Sequence, residues 1–122
     1  MAYKEKIDKI FASEKSFSKE EIDRIIDRLE SRAGNPPDRE LNRMKAALKF
    51  LDLKPLKVVN IVGTNGKGTV SKAIFDSLKD FGLRLGLYTS PHLVSYNERI
   101  ITSDGEIPDD ILYALIDLVS EL

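Results

Sequence analysis

Val58-Val59-Asn60-Ile61-Val62 runs directly into Gly63-Thr64-Asn65-Gly66-Lys67-Gly68-Thr69, and an amphipathic stretch follows at once. A β-branched run, a loop with three glycines and then helical spacing predict strand, glycine-rich loop and helix in that order. That order suits phosphate. Glycines let backbone N–H groups approach an anion closely, and a helix N-terminus adds free donors and the positive end of its dipole. Lys67 would place a point charge on the outer phosphates, and the Thr69 hydroxyl could reach a magnesium ion or a phosphate oxygen. The candidate nucleotide-binding residues are therefore Gly63, Thr64, Asn65, Gly66, Lys67, Gly68 and Thr69, with Lys67 also the candidate catalytic group. The spacing departs from G-x-x-x-x-G-K-[ST] at two places. Ile61 stands where the first glycine belongs, and Gly68 separates Lys67 from Thr69. The competing structural reading is a plain βα turn with an exposed lysine.

Downstream of the loop, Val70, Ile74, Leu78 and Phe81 mark a helix face, and Gly82 sits where a C-terminal cap belongs. Leu85, Leu87 and Tyr88 predict a second strand. Strand, helix and strand within about thirty residues predict a right-handed βαβ unit with a parallel pair. Its first strand, Lys57 to Val62, is nearly continuous in apolar residues, as a strand buried on both faces should be. Ligands of such sheets sit at the carboxyl ends of the strands, so the glycine-rich loop and Thr89-Ser90-Pro91-His92 are expected at one ligand. Ile100-Ile101-Thr102, Ser103-Asp104-Gly105 and Ile107 predict a short strand or hairpin turn. Pro108-Asp109-Asp110 then opens a helix whose apolar residues run from Ile111 to Leu122, a surface broad enough to want cover.

Upstream lies a helical leader. Ile7, Ile10 and Phe11 give a short amphipathic helix over residues 4 to 13. Ser18-Lys19-Glu20-Glu21 is a capping box, with Phe17 and Ile22 placed as a hydrophobic staple. Ile22, Ile25, Ile26 and Leu29 form the face of the helix that follows, which Gly34 and Pro36-Pro37 end. Asp38 can cap a third helix with Leu41, Met44, Leu48 and Leu51 on one face. The expected division is a leader over 1–56 and the first part of a P-loop ATP-binding domain over 57–122.

Thr89-Ser90-Pro91-His92-Leu93, followed by Tyr96-Asn97-Glu98-Arg99-Ile100, adds a second motif to G-T-N-G-K-G-T. Together they closely resemble the folylpolyglutamate synthase/dihydrofolate synthase family, a branch of the Mur ligase superfamily. Gly82-Leu83-Arg84-Leu85-Gly86-Leu87-Tyr88 is similar to that family's second strand and its approach. Leu41-Asn42-Arg43-Met44 is similar to its short G-L-E-R-[MIV] stretch, with Glu40 at the glycine position. The resemblance runs from about Asp38 onward. It implies an α/β fold, an incomplete Mur-ligase-like ATP-binding domain, with ATP and Mg²⁺ as cofactors. It also implies an activity: ATP phosphorylates a carboxylate of folate or dihydropteroate, and the amine of glutamate attacks the acyl phosphate.

From position alone Ser90 could equally satisfy turn backbone; the resemblance makes it a magnesium ligand, alongside Thr69. Arg99, whose fork suits a carboxylate or phosphate, is a candidate substrate contact, while Glu98 and Arg99 could equally pair with each other at the surface. The resemblance places Pro37, Asp38 and Arg39 at the pterin pocket. His92 is the single histidine, so neither a zinc-binding histidine pair nor a Ser-His-Asp triad is indicated. Family members are several times longer. No E-V-G-L-G-G-R-x-D-A-T-N segment is present, and the later metal-binding histidine, modified lysine and C-terminal domain are also missing. The expectation is the N-terminal portion of a ligase, inactive alone and prone to self-association through its last helix.

Composition narrows the partners. A formal net charge of −1 leaves no footprint for nucleic acid or an anionic membrane, and no apolar run is long enough to span a bilayer. The absence of cysteine excludes disulfides and thiolate chemistry and is compatible with a cytoplasmic setting. Two other readings compete: a small P-loop kinase, disfavoured by the altered spacing and the lack of a lid-like arginine cluster, and a stand-alone nucleotide-binding or assembly module.

Overall fold

The computed structural model describes residues 3–33, 41–49 and 54–120. Two compact units emerge: Met1–Leu56 together with Asp109–Leu122, and Lys57–Pro108. The C-terminal helix, expected with the second unit, groups with the first.

In the first unit, α1 (Tyr3–Ala12), α2 (Lys19–Ala33) and α5 (Asp109–Ser120) pack together, and α3 (Asn42–Leu48) is a two-turn helix. The capping box forms as expected: Ser18 N–H donates to Glu21 Oε2 at 2.9 Å and Glu21 N–H donates to Ser18 Oγ at 3.3 Å. Ile25 from α2 is buried, as are Leu112, Tyr113 and Leu118 from α5. The apolar surface of α5 thus finds part of its cover on the helices of the leader. Arg28 on α2 pairs with Asp117 on α5 across this contact. Phe11 is exposed and departs from the face predicted for α1. The predicted face of α3 is also open, with Leu41, Met44 and Leu48 all exposed. Gly34, Pro36, Pro37, Asp38, Arg39, Glu40 and Leu51 lie outside the described residues.

The second unit holds α4 (Lys67–Lys79), β1 (Gly86–Tyr88), a 3-10 turn (Tyr96–Arg99), β2 (Ile100–Thr102) and β3 (Gly105–Glu106). Its sheet corrects the expected topology. The order is β1-β2-β3 and both pairings are antiparallel, with Leu87 opposite Ile101 and Thr102 opposite Gly105. Lys57 to Val62 joins no ladder, so the parallel βαβ pair does not form among the described residues. Val58, Val59 and Val62 are 77%, 69% and 82% exposed where burial on both faces was expected. The reason is that β-branching reports what a segment favours burying, whereas a strand also needs a backbone partner. Here β1 finds that partner in β2, the nearest strand downstream.

The hairpin of this unit follows its sequence, whereas the predicted face of α4 is buried only in part, with Val70 exposed. β2 and β3 make the expected hairpin through Ser103-Asp104, where Thr102 Oγ1 donates to Gly105 O at 3.2 Å. Ser103 Oγ accepts from Leu85 N–H at 2.9 Å and donates to Leu83 O at 3.1 Å, which ties the approach of β1 to the hairpin. α4 packs on β1 and buries Phe75. Phe81, predicted on the same face, lies beyond the helix end and is exposed. Gly82 closes that end with φ +67° and its N–H on Lys79 O. Among the described residues no helix is long and apolar enough to cross a membrane.

Candidate functional site

The glycine-rich loop bends over Thr64 to Gly66 and delivers the chain into α4. Gly66 is the helix N-cap, with φ +74° and ψ 1°, a left-handed conformation that costs a side-chain-bearing residue about 1–2 kcal/mol. The first α4 amide to reach an intrahelical acceptor is that of Val70, on Gly66 O at 2.9 Å. The N–H groups of Lys67, Gly68 and Thr69 stand ahead of it with no intrahelical partner, and no side chain caps them. Three open donors and a dipole end, all solvent-exposed, are what an anion needs. A Cβ on Gly66 or Gly68 would meet nothing within 4 Å, so the approach is unobstructed. Lys67 folds its ammonium back over the loop, donating to Thr64 O at 3.3 Å, and stays exposed.

The second motif forms a separate, tightly bonded loop after β1. Thr89 N–H donates to Arg99 O at 3.0 Å and anchors its start. Arg99 Nε donates to His92 Nδ1 at 2.7 Å, its guanidinium lies 5.2 Å from the centre of the Tyr96 ring, and His92 and Tyr96 rings stand 4.3 Å apart. Glu98 accepts from three consecutive backbone N–H groups: Leu93 at 2.8 Å, Val94 at 2.8 Å and Ser95 at 2.9 Å. The Leu93 bond, followed by those of Ser95 and Val94, holds its carboxyl below the ordinary carboxylate range. Asn97 is buried and donates to Ile107 O at 2.7 Å.

Glu98 and Arg99 therefore do not pair with each other. The role of Glu98 escaped the sequence reading, although Ser95-Tyr96-Asn97-Glu98 repeats the S-x-x-E spacing already noticed at Ser18–Glu21.

Both loops belong to the same compact unit, and α4 packs on the strand that leads into Ser90. No hydrogen bond joins the two loops among the described residues. Ser90 and Thr69 are exposed, and neither hydroxyl has a protein hydrogen-bond partner among the described residues. Among those residues no cluster of three or more His, Cys, Asp or Glu side chains could hold a metal. A cation here would rely on hydroxyls and on oxygens of its own ligand, a donor set compatible with Mg²⁺ and not with zinc. A concavity of the first unit, about 470 Å³, is lined by Lys15, Phe17, Glu21, Arg24, Ile25, Arg28 and Asp117. It shares no residue with the predicted site.

The second unit is thus an α/β arrangement in which a glycine-rich loop leaves the first amides of α4 open. Comparison with known proteins carries the matter further. This chain is 39% identical over 95 residues to the dihydrofolate synthase/folylpolyglutamate synthase of Haemophilus influenzae, covering 76% of this chain and 22% of that protein. It is 45% identical over 56 residues to the folylpolyglutamate synthase of Lacticaseibacillus casei, covering 46% of this chain and 13% of that protein. Over 80 residues it is 36% identical to the mitochondrial folylpolyglutamate synthase of Bos taurus, covering 62% and 14%. The resemblance to the folylpolyglutamate synthase/dihydrofolate synthase family is thereby shown, over a portion of this chain. The chain spans about a fifth or less of the length of these relatives. No family model and no solved structure matches it.

Proposed function

We propose that this chain carries the ATP-binding portion of a ligase that adds glutamate to folate or dihydropteroate. The observation that carries the reading is the open first turn of α4. The amides of Lys67, Gly68 and Thr69 stand free behind a left-handed Gly66, with an exposed lysine beside them. The names of the relatives supply the reaction class.

On this reading the loop Gly63–Thr69 receives the β- and γ-phosphates, and Lys67 leaves Thr64 O to offset the charge that develops on the transferred phosphoryl group. A carboxylate of the pterin substrate takes the phosphoryl group, and the glutamate amine displaces phosphate from the resulting acyl phosphate to give the amide. Thr69 and Ser90 would hold Mg²⁺, which supplies charge neutralisation between the phosphates when bound. Arg99 spends Nε on His92, and its Nη groups are left for an anionic group of the substrate. Pro37, Asp38 and Arg39 belong to the same proposal as pterin contacts. A cytoplasmic setting goes with it.

Binding without ligation is the activity proposed for these 122 residues alone. An acyl phosphate survives only in a closed, water-poor site, and all three reactants must be held together there. Calorimetry with ATP and Mg²⁺ tests the reading. Wild type should bind and Lys67→Ala should lose most of that affinity; equal affinity for the two would overturn it. Glutamate-dependent product from the purified chain, absent in Lys67→Ala, would show that ligation needs nothing more.

A further inference from the structure

Ser90 lies in a loop that hydrophobic burial does not hold in place. Leu93 and Val94, which follow it, are 93% and 90% exposed. What fixes the segment is polar. At one end Thr89 N–H bonds Arg99 O, and at the other the Glu98 carboxylate gathers the three N–H groups of Leu93, Val94 and Ser95. Between these anchors stand only Ser90, Pro91 and His92, and His92 is itself held by Arg99.

We propose that Glu98 is the positioning residue of this loop, fixing residues 90–95 so that the Ser90 hydroxyl is presented to a nucleotide-bound divalent cation. The proposal rests on the metal role given to Ser90 above. Its physical basis is multiplicity. One carboxylate satisfies three successive amides in a turn that has no ladder or helix to satisfy them, and hydrogen bonds to a charged acceptor are about twice as strong as neutral ones. A glutamine at 98 keeps one acceptor oxygen and sets an NH₂ group against donors. An alanine removes both acceptors.

The test uses the whole chain with Glu98→Gln, Glu98→Ala and, separately, Ser90→Ala. Amide hydrogen exchange reads the loop directly: protection at Leu93, Val94 and Ser95 should fall at least about tenfold in both Glu98 variants, while the amides of α4 and α5 keep theirs, showing that the fold survives. Titration of Mg²⁺ at fixed ATP reads the function. The Glu98 variants should need several-fold more Mg²⁺ for half-maximal nucleotide binding, with metal-free nucleotide affinity unchanged, which a general loss of structure would not spare. A wild-type Mg²⁺ requirement in both Glu98 variants overturns the proposal, whatever Ser90→Ala does, and so does full retention of loop protection. A wild-type requirement in Ser90→Ala overturns the metal role of Ser90 and, with it, the presentation of that hydroxyl by Glu98. Failure of the wild-type chain to bind Mg²⁺-ATP removes the function and the positioning role together.

Discussion

Arg99 donates from Nε to Nδ1 of His92 at 2.7 Å, so in this contact Nδ1 carries a lone pair and the ring proton sits on Nε2. The guanidinium is held in that pose by the Tyr96 ring beneath it, 5.2 Å from its centre. The signature His-x₃-Tyr-x₂-Arg is therefore a stacked unit as well as a string of surface residues. Nitrogen NMR of the imidazole under neutral-ring conditions should show the Nε2–H tautomer dominant in wild type and a mixture in Arg99→Ala. The same mixture in both would disprove the contact.

Gly66→Ala and Lys67→Ala should weaken nucleotide binding by different routes. The alanine at 66 must adopt φ +74°, at a cost of about 1–2 kcal/mol, and it acts on the loop before any ligand arrives. On the proposed reading the alanine at 67 removes a charge-assisted contact to phosphate worth about 1.5–3 kcal/mol, roughly tenfold or more in affinity. Thermal unfolding separates them: Gly66→Ala should lower stability, and Lys67→Ala, whose side chain is exposed, should not.

Two carboxylates should respond to acid together. Glu21 is held below its ordinary value of 4.5 chiefly by the backbone N–H of Ser18, and Glu98 chiefly by that of Leu93. Each is depressed in the folded chain, so its contribution is fully present above the ordinary carboxylate value. It is lost as pH falls through the folded one. Exchange protection at Ser18 and at residues 93–95 should therefore hold at neutral pH and be lost only in acid, as pH falls below the ordinary carboxylate value of 4.5 and through the lower folded one. Glu98→Gln should abolish the pH dependence at 93–95 and leave that at Ser18.

Tyr113 should set the alkaline limit. Burial, then the carboxylates of Asp109 and Asp23, push its phenol above the ordinary 10.0. A raised folded value means that its contribution is present below the unfolded value and lost as pH rises through the folded one. Ultraviolet titration should find one tyrosine ionising late, and stability should fall above about pH 10. Tyr113→Phe should remove that late step and keep the fold. Tyr113→Ala, which empties a buried aromatic site, should cost about 3 kcal/mol or more.

Asn97→Ala should cost about 1–3 kcal/mol, because it leaves the carbonyl of Ile107 without its donor at a buried position. Chemical denaturation measures it. A change below about 0.5 kcal/mol would show that water takes over the bond.

Local chemistry was written plainly in the residues. Ser18–Glu21 capped α2, the loop at 63–69 opened α4, Ser103-Asp104 turned a hairpin, and Asp109-Asp110 stood in the first turn of α5. Each depends on neighbours within a few positions, which sequence spacing displays. The two motifs also carried the resemblance to the folylpolyglutamate synthase/dihydrofolate synthase family without any geometry, because particular residue types at particular spacings suffice for that.

Pairing and burial were another matter. Lys57–Val62 has the composition of an inner strand yet joins no ladder, and β1 pairs antiparallel with β2. The α5 surface is partly covered by α1 and α2, nearly a hundred residues away. Arg99 meets His92 and Glu98 meets the amides of 93–95, neither of which charge patterning revealed. The physical reason is common to all of these. A propensity belongs to a segment, but a partner is chosen by chain closure and by competition among every group within reach. That choice exists only once the chain has folded.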